Sequence, residues 1–366
     1  MRVLSALALV VIAFSSFVFA QNVTTPRPVS PAAEVKQRIG LTDIRINYSR
    51  PRVTLNGVDR TGKIWGALVP YGMTKSQFGK QMDMPWRAGA NENTIFEISH
   101  DATVEGKPLK AGKYSLHMIV NQNQTVTLIF NSATESWGSF FYDPKEDVMR
   151  VDTKMRDNPH TEVLTYSFPE VGNDYVVVEL AWERKAIPFK VAVDVHSVVL
   201  ANFRNELRNL PGFGWQGFQT AAQYCLTNNI NNAEAIEWAD VAIARNRTFP
   251  TLATKANLLF QGGKQTEGDA ILADALKIAN RLQINNVGYQ MLGINRFDKA
   301  IEILKLNVES DPTDANAWDS VGEAYKMAGD KANAIKYLRK ALELNPPANV
   351  RANSIKLLKE LGEDVQ

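Results

Sequence analysis

Apolar and polar residues alternate along the first half of the chain in short runs. Ile44, Ile46 and Tyr48 are separated by polar residues, and Asn56-Gly57 is a strong turn dipeptide. Alternate residues of a strand lie on the same face, so the pattern predicts half-buried strands. Further strands are predicted at 94–98, 113–120, 125–130, 148–152, 161–168, 175–182 and 189–195. Eight or nine short strands without a helical period between them indicate an antiparallel β-sandwich or a jelly roll.

The period changes in the second half, where Ala, Leu and Ile recur at spacings of three and four residues. Residues 317–346 place apolar and small residues at the offsets of a tetratricopeptide repeat. These are Trp318, Val321, Gly322, Tyr325, Ala334, Leu338, Ala341 and Pro346. The equivalent small residues Ala235, Gly268, Ala300 and Ala334 lie 33, 32 and 34 positions apart. The second half is therefore predicted to be an α-solenoid of about four helix pairs.

Two further features set the predicted boundaries. Pro211-Gly212 interrupts the first helical stretch, and the last apolar positions fit a helix that shields the final repeat from water. The pattern predicts a signal peptide at 1–20, an extended Pro-rich arm at 21–31, a β-rich domain at 32–196, a joining segment at 197–215, repeats at 216–348 and a closing helix at 349–366.

The N-terminus is typical of a secretory signal. Arg2 precedes an apolar run that ends with Val18 and Ala20, the small residues that a signal peptidase accepts. An uncleaved membrane anchor is the alternative, since the run approaches the length of a membrane span. With cleavage, the mature chain has no predicted transmembrane span, and the protein is expected to be exported to the periplasm or secreted.

The charge composition and the single cysteine bear on the partners and on the disulfides of the chain. The 366 residues contain 41 Lys and Arg against 39 Asp and Glu, which lacks the basic excess that nucleic-acid binding requires. No nucleic-acid partner is expected. Cys225 is the only cysteine, so the chain forms no internal disulfide and Cys225 is predicted to be a small buried residue.

Several motifs of the first half occur in the order found in a known bacterial family. They are PRPVSPAAEVKQRIGLTDIRINYSRP at 26–51, KIWGALVPYG at 63–72, WRAGANENT at 86–94, AGKYSLHMI at 111–119, WGSFFYDPKEDVMRV at 137–151 and IPFKVAVD at 187–194. This stretch resembles the family called domain of unknown function 2911. The resemblance implies an envelope-associated module and no defined chemistry. One departure is the segment 73–85, which separates two motifs that are nearly adjacent in the family.

The richest polar cluster of the β-rich half is Trp86, Arg87, Asn91 and Glu92. A guanidinium beside a carboxylate and an amide can hold a carboxylate, a phosphate or sugar hydroxyls by paired hydrogen bonds. This cluster is the predicted ligand site, for a small polar ligand or a glycan. The alternative is a structural turn, with Arg87 and Glu92 paired and Trp86 in the core.

Signals for catalysis and cofactors are weak. The four histidines show no metal-ligand spacing, and no phosphate loop, dinucleotide fingerprint or nucleophile elbow occurs, so no metal, cofactor or catalytic residue is predicted. A hydrolase assembled from Asp143, His117 or Glu92 is the alternative function, as is a carbohydrate-binding β domain. The aromatic run Trp137, Phe140, Phe141 and Tyr142 is predicted to be buried, and would be a stacking platform if exposed.

Repeats of this kind bind a peptide or a partner helix in the groove lined by the first helix of each pair. The polar and aromatic residues that packing does not explain at these positions are Asn285, Tyr289, Asn316, Asp319, Glu323 and Lys326. Asp319 and Glu323 replace the Lys and Asn of carboxylate-clamping repeats, so a C-terminal carboxylate is not the expected ligand. The sequence predicts an exported binding or scaffold protein with a ligand site in the β-rich half and a protein-binding repeat array.

Overall fold

A computed structural model describes residues 29–77 and 81–365. The predicted signal peptide and most of the predicted arm lie outside the described residues. The chain divides into two compact units, with the division between Val199 and Leu200. Each unit has its own hydrophobic clusters.

The first unit, called here the β unit, is built from antiparallel strands. They are β1 (Ala32–Ile39), β2 (Thr42–Ser49), β3 (Thr54–Leu55), β4 (Val58–Asp59), β5 (Thr74–Lys75), β6 (Asp83–Met84), β7 (Thr94–Ile98), β8 (Ala102–Val104), β9 (Lys107–Leu109), β10 (Gly112–Val120), β11 (Thr125–Asn131), β12 (Asp147–Lys154), β13 (Arg156–Val171) and β14 (Tyr175–Ala192). A short 3₁₀ helix at Pro144–Glu146 precedes β12.

Two sheets form a sandwich around one core. The larger sheet has the order β1-β2-β7-β10-β11-β12, and the smaller has the order β13-β14-β8-β9. Phe96 of the larger sheet packs against Phe189 of the smaller, and Tyr48 packs edge-on against Tyr166 at 4.8 Å between ring centres. The predicted antiparallel sandwich is confirmed, because alternate apolar residues of both sheets are buried against each other.

The prediction of separate strands at 175–182 and 189–195 is wrong, because one strand, β14, runs from Tyr175 to Ala192. Glu183 takes a left-handed backbone conformation, with φ of 54°, where the two predicted strands would have been separated. The irregular register of its pairing with β13 absorbs this change without ending the strand.

The second unit, called here the repeat unit, is helical. The α-helices of the described residues are α1 (Val195–Glu206), α2 (Trp215–Asn228), α3 (Asn232–Arg245), α4 (Phe249–Gln261), α5 (Gln265–Leu276), α6 (Arg281–Gly293), α7 (Phe297–Ser310), α8 (Ala315–Met327), α9 (Lys331–Glu343) and α10 (Ala348–Glu360), with a 3₁₀ turn at Leu210–Gly212. Pairs α2–α3, α4–α5, α6–α7 and α8–α9 form the predicted solenoid. Cys225 is buried in α2.

Small residues hold each pair close. A Cβ added at Gly322 would lie 2.7 Å from Leu338 Cγ, and one added at Gly288 would lie 2.4 Å from Leu304 Cγ. Such distances leave no room for a side chain, so glycine is required where the two helices of a pair cross. α10 then packs its Leu357 and Leu358 with Leu338, as a closing helix does.

Candidate functional site

A cavity of about 700 Å³ opens in the β unit, within the size range of small-molecule sites. Its wall combines apolar and cationic side chains. The lining residues are Val29, Ser30, Pro51, Arg52, Thr54, Leu55, Asn56, Arg60, Leu68, Val69, Pro70, Gly72, Thr74, Met84, Pro85, Trp86, Arg87, Gly89, Ala90, Ser139, Phe140 and Trp182. Two of the four predicted ligand residues, Trp86 and Arg87, therefore face one cavity.

Trp86 forms part of the aromatic wall. Its backbone pairs with Met118 of β10 in both directions, at 2.9 and 2.8 Å. Its ring stacks on Trp182 at 6.4 Å between ring centres, and its indole Nε1 donates to the carbonyl of Gly89. These contacts fix the ring, so Trp86 presents a rigid surface to the cavity.

Arg87 is half-buried and held at two points. Its Nη1 donates to the carbonyl of Asn91 at 2.5 Å, and its guanidinium lies over the ring of Phe140 at 4.6 Å. Gly138 allows this position, since a Cβ there would lie 2.2 Å from Nη1. Burial lowers the pKa of Arg87, because the charged form loses hydration. Among the described residues, no carboxylate forms an ion pair with it.

The other two residues of the predicted cluster have different places. The Asn91 backbone, at φ of 60°, presents the carbonyl that accepts from Arg87, and its side-chain amide donates to the carbonyl of Ser30 at 3.1 Å. Glu92 lines a separate shallow depression beside β1 and β2. The turn thus places Trp86 and Arg87 at the cavity and Glu92 at the separate depression. Asn91 positions Arg87 through its backbone carbonyl.

Two cavity arginines were not predicted from the sequence. Arg52 and Arg60 lie on either side of the β3–β4 hairpin, whose turn is the predicted Asn56-Gly57. Arg60 donates through Nε to the carbonyl of Val53 at 3.1 Å and through Nη2 to that of Arg52. Arg52 is exposed at the cavity. The sequence feature that could have identified them is a pair of arginines flanking one predicted hairpin turn.

The segment that departs from the family pattern forms the β5–β6 ribbon. Thr74 and Met84 of this ribbon, together with Pro85, line the cavity. Residues 78–80 lie outside the described part. The segment therefore forms part of the cavity wall beside Trp86.

A buried polar pair adjoins the cavity. His117 Nδ1 and Ser139 Oγ lie 2.9 Å apart in a hydrogen bond, and Ser139 also lines the cavity. His117 is 2% exposed, and this burial lowers its pKa to about 4, an effect that the charge of Asp147 opposes. The imidazole is therefore neutral at pH 7.

The residues suggested for a hydrolase have separate surroundings. Asp143 caps the 3₁₀ helix by accepting from the Lys145 amide at 2.9 Å, and Glu92 lines the depression beside β1 and β2. His117 has a polar partner on the cavity wall, Ser139.

The prediction that the aromatic run 137–142 is buried is wrong for two of its members. Trp137 is 49% exposed and Phe141 is 60% exposed, whereas Tyr142 is buried. Tyr142 packs edge-on against His117 at 5.4 Å and donates its hydroxyl to Asp147 at 2.7 Å. The loop places alternate rings inside and outside, which a run of consecutive aromatic residues does not reveal.

Three of the predicted groove residues, Tyr289, Glu323 and Lys326, form side-chain hydrogen bonds within the repeat unit. The hydroxyl of Tyr289 donates to Glu323 Oε2 at 2.8 Å, and Lys326 Nζ donates to Glu360 Oε2 at 2.5 Å. Burial raises the pKa of Tyr289, so its hydroxyl stays protonated. These bonds link α6 to α8 and α8 to α10.

The expectation that Asp319 is exposed for recognition is wrong, since it is only 4% exposed. It accepts hydrogen bonds from the Asn353 amide at 2.8 Å and from the Ser354 hydroxyl, both on α10. Burial raises the pKa of Asp319. The closing helix occupies the place beside α8 that a further repeat would take, and so covers this groove position.

The remaining predicted groove residues differ in exposure. Asn316 is exposed, and its backbone amide donates to the capping carboxylate of Asp314 at 3.0 Å. Asn285 has a buried Oδ1 that receives no hydrogen bond from the described residues. This predicted groove residue therefore has an acceptor that no described residue uses.

Two other kinds of site are absent from the described residues. No described helix combines the length and the apolar character that a membrane crossing needs. Within the same residues, no group of three or more His, Cys, Asp and Glu side chains is placed to hold a metal ion.

Two known families match separate parts of the chain. Residues 30–191 match the family model described as "Protein of unknown function (DUF2911)". This confirms the resemblance. Residues 315–348 match the tetratricopeptide repeat model, which confirms the repeat inferred at 317–346. The first match lies within the β unit and the second within the repeat unit.

Curated relatives match short stretches of the chain. Tetratricopeptide repeat protein 37 of Xenopus laevis is 32% identical over 74 residues, which are 20% of this chain and 5% of that protein. Cellulose synthase operon protein C of Escherichia coli K12 is 46% identical over 48 residues, covering 13% of this chain and 4% of that protein. The chain spans about a twentieth of the length of these curated relatives.

Solved structures of repeat proteins also resemble part of the chain. YrrB, described as a TPR protein with an unusual peptide-binding site, is 16% identical with a TM-score of 0.30, over 44% of this chain and 83% of YrrB. MamA is 19% identical with a TM-score of 0.30, over 40% of this chain and 86% of MamA.

Proposed function

We propose that the protein is an exported binding and scaffold protein, in which the β unit holds a small ligand and the repeat unit binds a protein or peptide. The observation that carries the proposal is the 700 Å³ cavity that contains half-buried Arg87. A guanidinium removed from water without a carboxylate partner costs stability, and a ligand acceptor would offset this cost.

The repeat unit supports the scaffold part. Tetratricopeptide repeats are protein-interaction modules, and their groove binds extended peptides or helices. Tyr289, Glu323, Asn285 and Asn316 remain candidates for recognition, because each has exposed surface or an unused acceptor. Asp319 is no longer a candidate, since α10 covers it.

The ligand site is tested with a cavity-filling variant. Ala90 lines the cavity, so Ala90→Trp should fill it, whereas Ala111→Trp on an exposed turn should not. The full chain and both variants are purified from the envelope fraction of their host, and released small molecules are identified by mass spectrometry. A compound present with the wild type and Ala111→Trp but absent with Ala90→Trp supports the proposal. Equal release from all three contradicts it.

The protein-binding part is tested with full-chain pull-downs. Glu323→Lys should weaken capture of a partner at the groove, while Glu309→Lys, an exposed glutamate of α7, should leave capture unchanged. A partner set that is identical for all three proteins would make the array a spacer.

Export is tested by the mass of the mature protein. Cleavage after Ala20 leaves Gln21 at the N-terminus. An intact mass that includes residues 1–20 would contradict cleavage.

A hydrolase is the second candidate, and the Ser139–His117 hydrogen bond at the cavity wall favours it. Ser139 Oγ would attack an ester carbonyl as His117 Nδ1 takes its proton, the proton would pass to the leaving alcohol, and water would then release the acyl group. A fluorophosphonate probe should label Ser139 and fail to label Ser139→Ala. Absence of labelling in the wild type would exclude this candidate.

A further inference from the structure

We infer that the cavity of the β unit takes an amphipathic organic anion, with a carboxylate or phosphate against Arg87 and a flat apolar body against the aromatic wall. This inference rests on the proposed ligand-binding function and names its ligand class.

The first argument is the charge of the wall. Arg52, Arg60 and Arg87 line the cavity, and none of its described lining residues is an aspartate or a glutamate. Three cations around one concave surface give a positive potential that favours an anionic ligand. A neutral glycan would instead need acceptors for its hydroxyl groups, which carboxylates usually supply, so the wall favours an anion over a sugar.

The second argument is the unused hydrogen-bonding capacity of Arg87. A guanidinium has five N–H donors, and only Nη1 donates to a described residue, the carbonyl of Asn91. That bond, the Phe140 ring and the close approach of Gly138 hold the group in place before any ligand arrives. A fixed planar fork with donors remaining on Nε and Nη2 suits the two oxygens of a carboxylate or phosphate.

The third argument is the apolar part of the wall. Trp86 and Trp182 stack with 17° between their ring planes, and Phe140 lies on the same cavity beneath the guanidinium. Leu55, Leu68 and Met84 add aliphatic surface. An anion without an apolar part would leave this apolar surface in contact with water. The wall therefore favours a ligand with an aromatic or hydrocarbon body.

The test compares two probes of the same shape. Naphthalene-1-acetate carries a carboxylate, and naphthalene-1-acetamide replaces it with a neutral amide. We expect the full chain to bind the acetate at least about tenfold more tightly than the amide in calorimetric titrations, since a charge-assisted pair is worth about one power of ten or more.

Variants assign that preference to the cavity. Arg87→Gln should bring the affinity ratio near one, Arg87→Lys should keep part of it, and Arg52→Gln, at an exposed position, should reduce it without a folding defect. Arg184→Gln is the matched control, because Arg184 is exposed and lies outside the cavity lining.

The outcomes separate this inference from the proposed function. Equal binding of both probes, abolished by Ala90→Trp, would overturn the anion inference and leave an apolar ligand site. A preference for the acetate that survives both Arg87→Gln and Arg52→Gln would overturn it as well, and so would binding of neither probe. Failure of the proposed function is recognised independently, by the mass spectrometry of released compounds.

Discussion

Arg87 of the β unit and Asp319 of the repeat unit are both charged side chains withdrawn from water, and they differ in their partners. Asp319 accepts hydrogen bonds from Asn353 and Ser354, so the fold itself uses its charge. Arg87 donates only to a backbone carbonyl and has no carboxylate partner among the described residues. A paired buried charge indicates a structural role, whereas an unpaired one beside a cavity indicates a place for a ligand.

The largest expected effect tests how closely the paired helices of the repeat unit are packed. Gly322→Leu should destabilise the repeat unit by about 3 kcal/mol or more, because its Cβ would overlap Leu338. Gly293→Leu is the control, since a Cβ at Gly293 meets nothing within 4 Å. Thermal unfolding followed by circular dichroism at 222 nm measures both. Equal stability of the two variants would contradict the close helix crossing.

The second prediction concerns the buried histidine behind the cavity. The unfolded state, with a His pKa near 6.5, binds more protons than the folded state, in which the pKa of His117 is about 4. The stability contributed by neutral His117 is therefore complete above pH 6.5 and is lost as the pH falls toward 4, by up to about 3 kcal/mol. His117→Asn should reduce this pH dependence in urea unfolding, whereas His160→Asn, at a partly exposed position, should retain it. Identical pH profiles for His117→Asn and the wild type would show that His117 is not the titrating group.

The third prediction tests the structural role of Asp319. Asp319→Ala leaves two polar groups of α10 without their acceptor and should destabilise the repeat unit by about 2 kcal/mol. Asp364→Ala, at an exposed position after α10, is the control. If chemical denaturation shows Asp319→Ala to be as stable as the wild type, Asp319 has no structural role and does not differ from Arg87 in this respect.

The smallest expected effect concerns the groove itself. Tyr289→Phe removes the hydroxyl that donates to Glu323, and because the pair is partly exposed, stability should change by less than about 1 kcal/mol. Chemical denaturation of the variant and the wild type measures the change. A loss well above this value would place Tyr289 with Asp319 among residues that hold the repeats together.

The fold was largely predictable because each unit repeats a simple rule. Alternation marks strands such as β2, and small residues such as Gly322 and Ala334 mark helix crossings, so local sequence specifies both. The single long β14 was missed, because a strand that continues through an irregular residue such as Glu183 has the same local pattern as two strands and a turn.

The candidate site was only partly predictable, because burial and pairing depend on residues that are distant in sequence. Arg87 was found from its turn, but Arg52 and Arg60 reach the cavity from another hairpin. The sequence pattern correctly assigns Asp319 to the first helix of its pair, but it does not show that α10 covers this side chain. Periodicity assigns a residue to a face and does not say what occupies that face.

The most direct test of the central claim, that Arg87 is retained for a ligand and not for the fold, is the unfolding free energy of Arg87→Met without ligand. Replacing an unpaired half-buried charge with an apolar side chain of similar length removes a desolvation cost. We predict that the variant is as stable as the wild type to within about 1 kcal/mol, or more stable, in urea unfolding. A loss of more than about 2 kcal/mol would show that Arg87 is a structural clamp and would contradict the account.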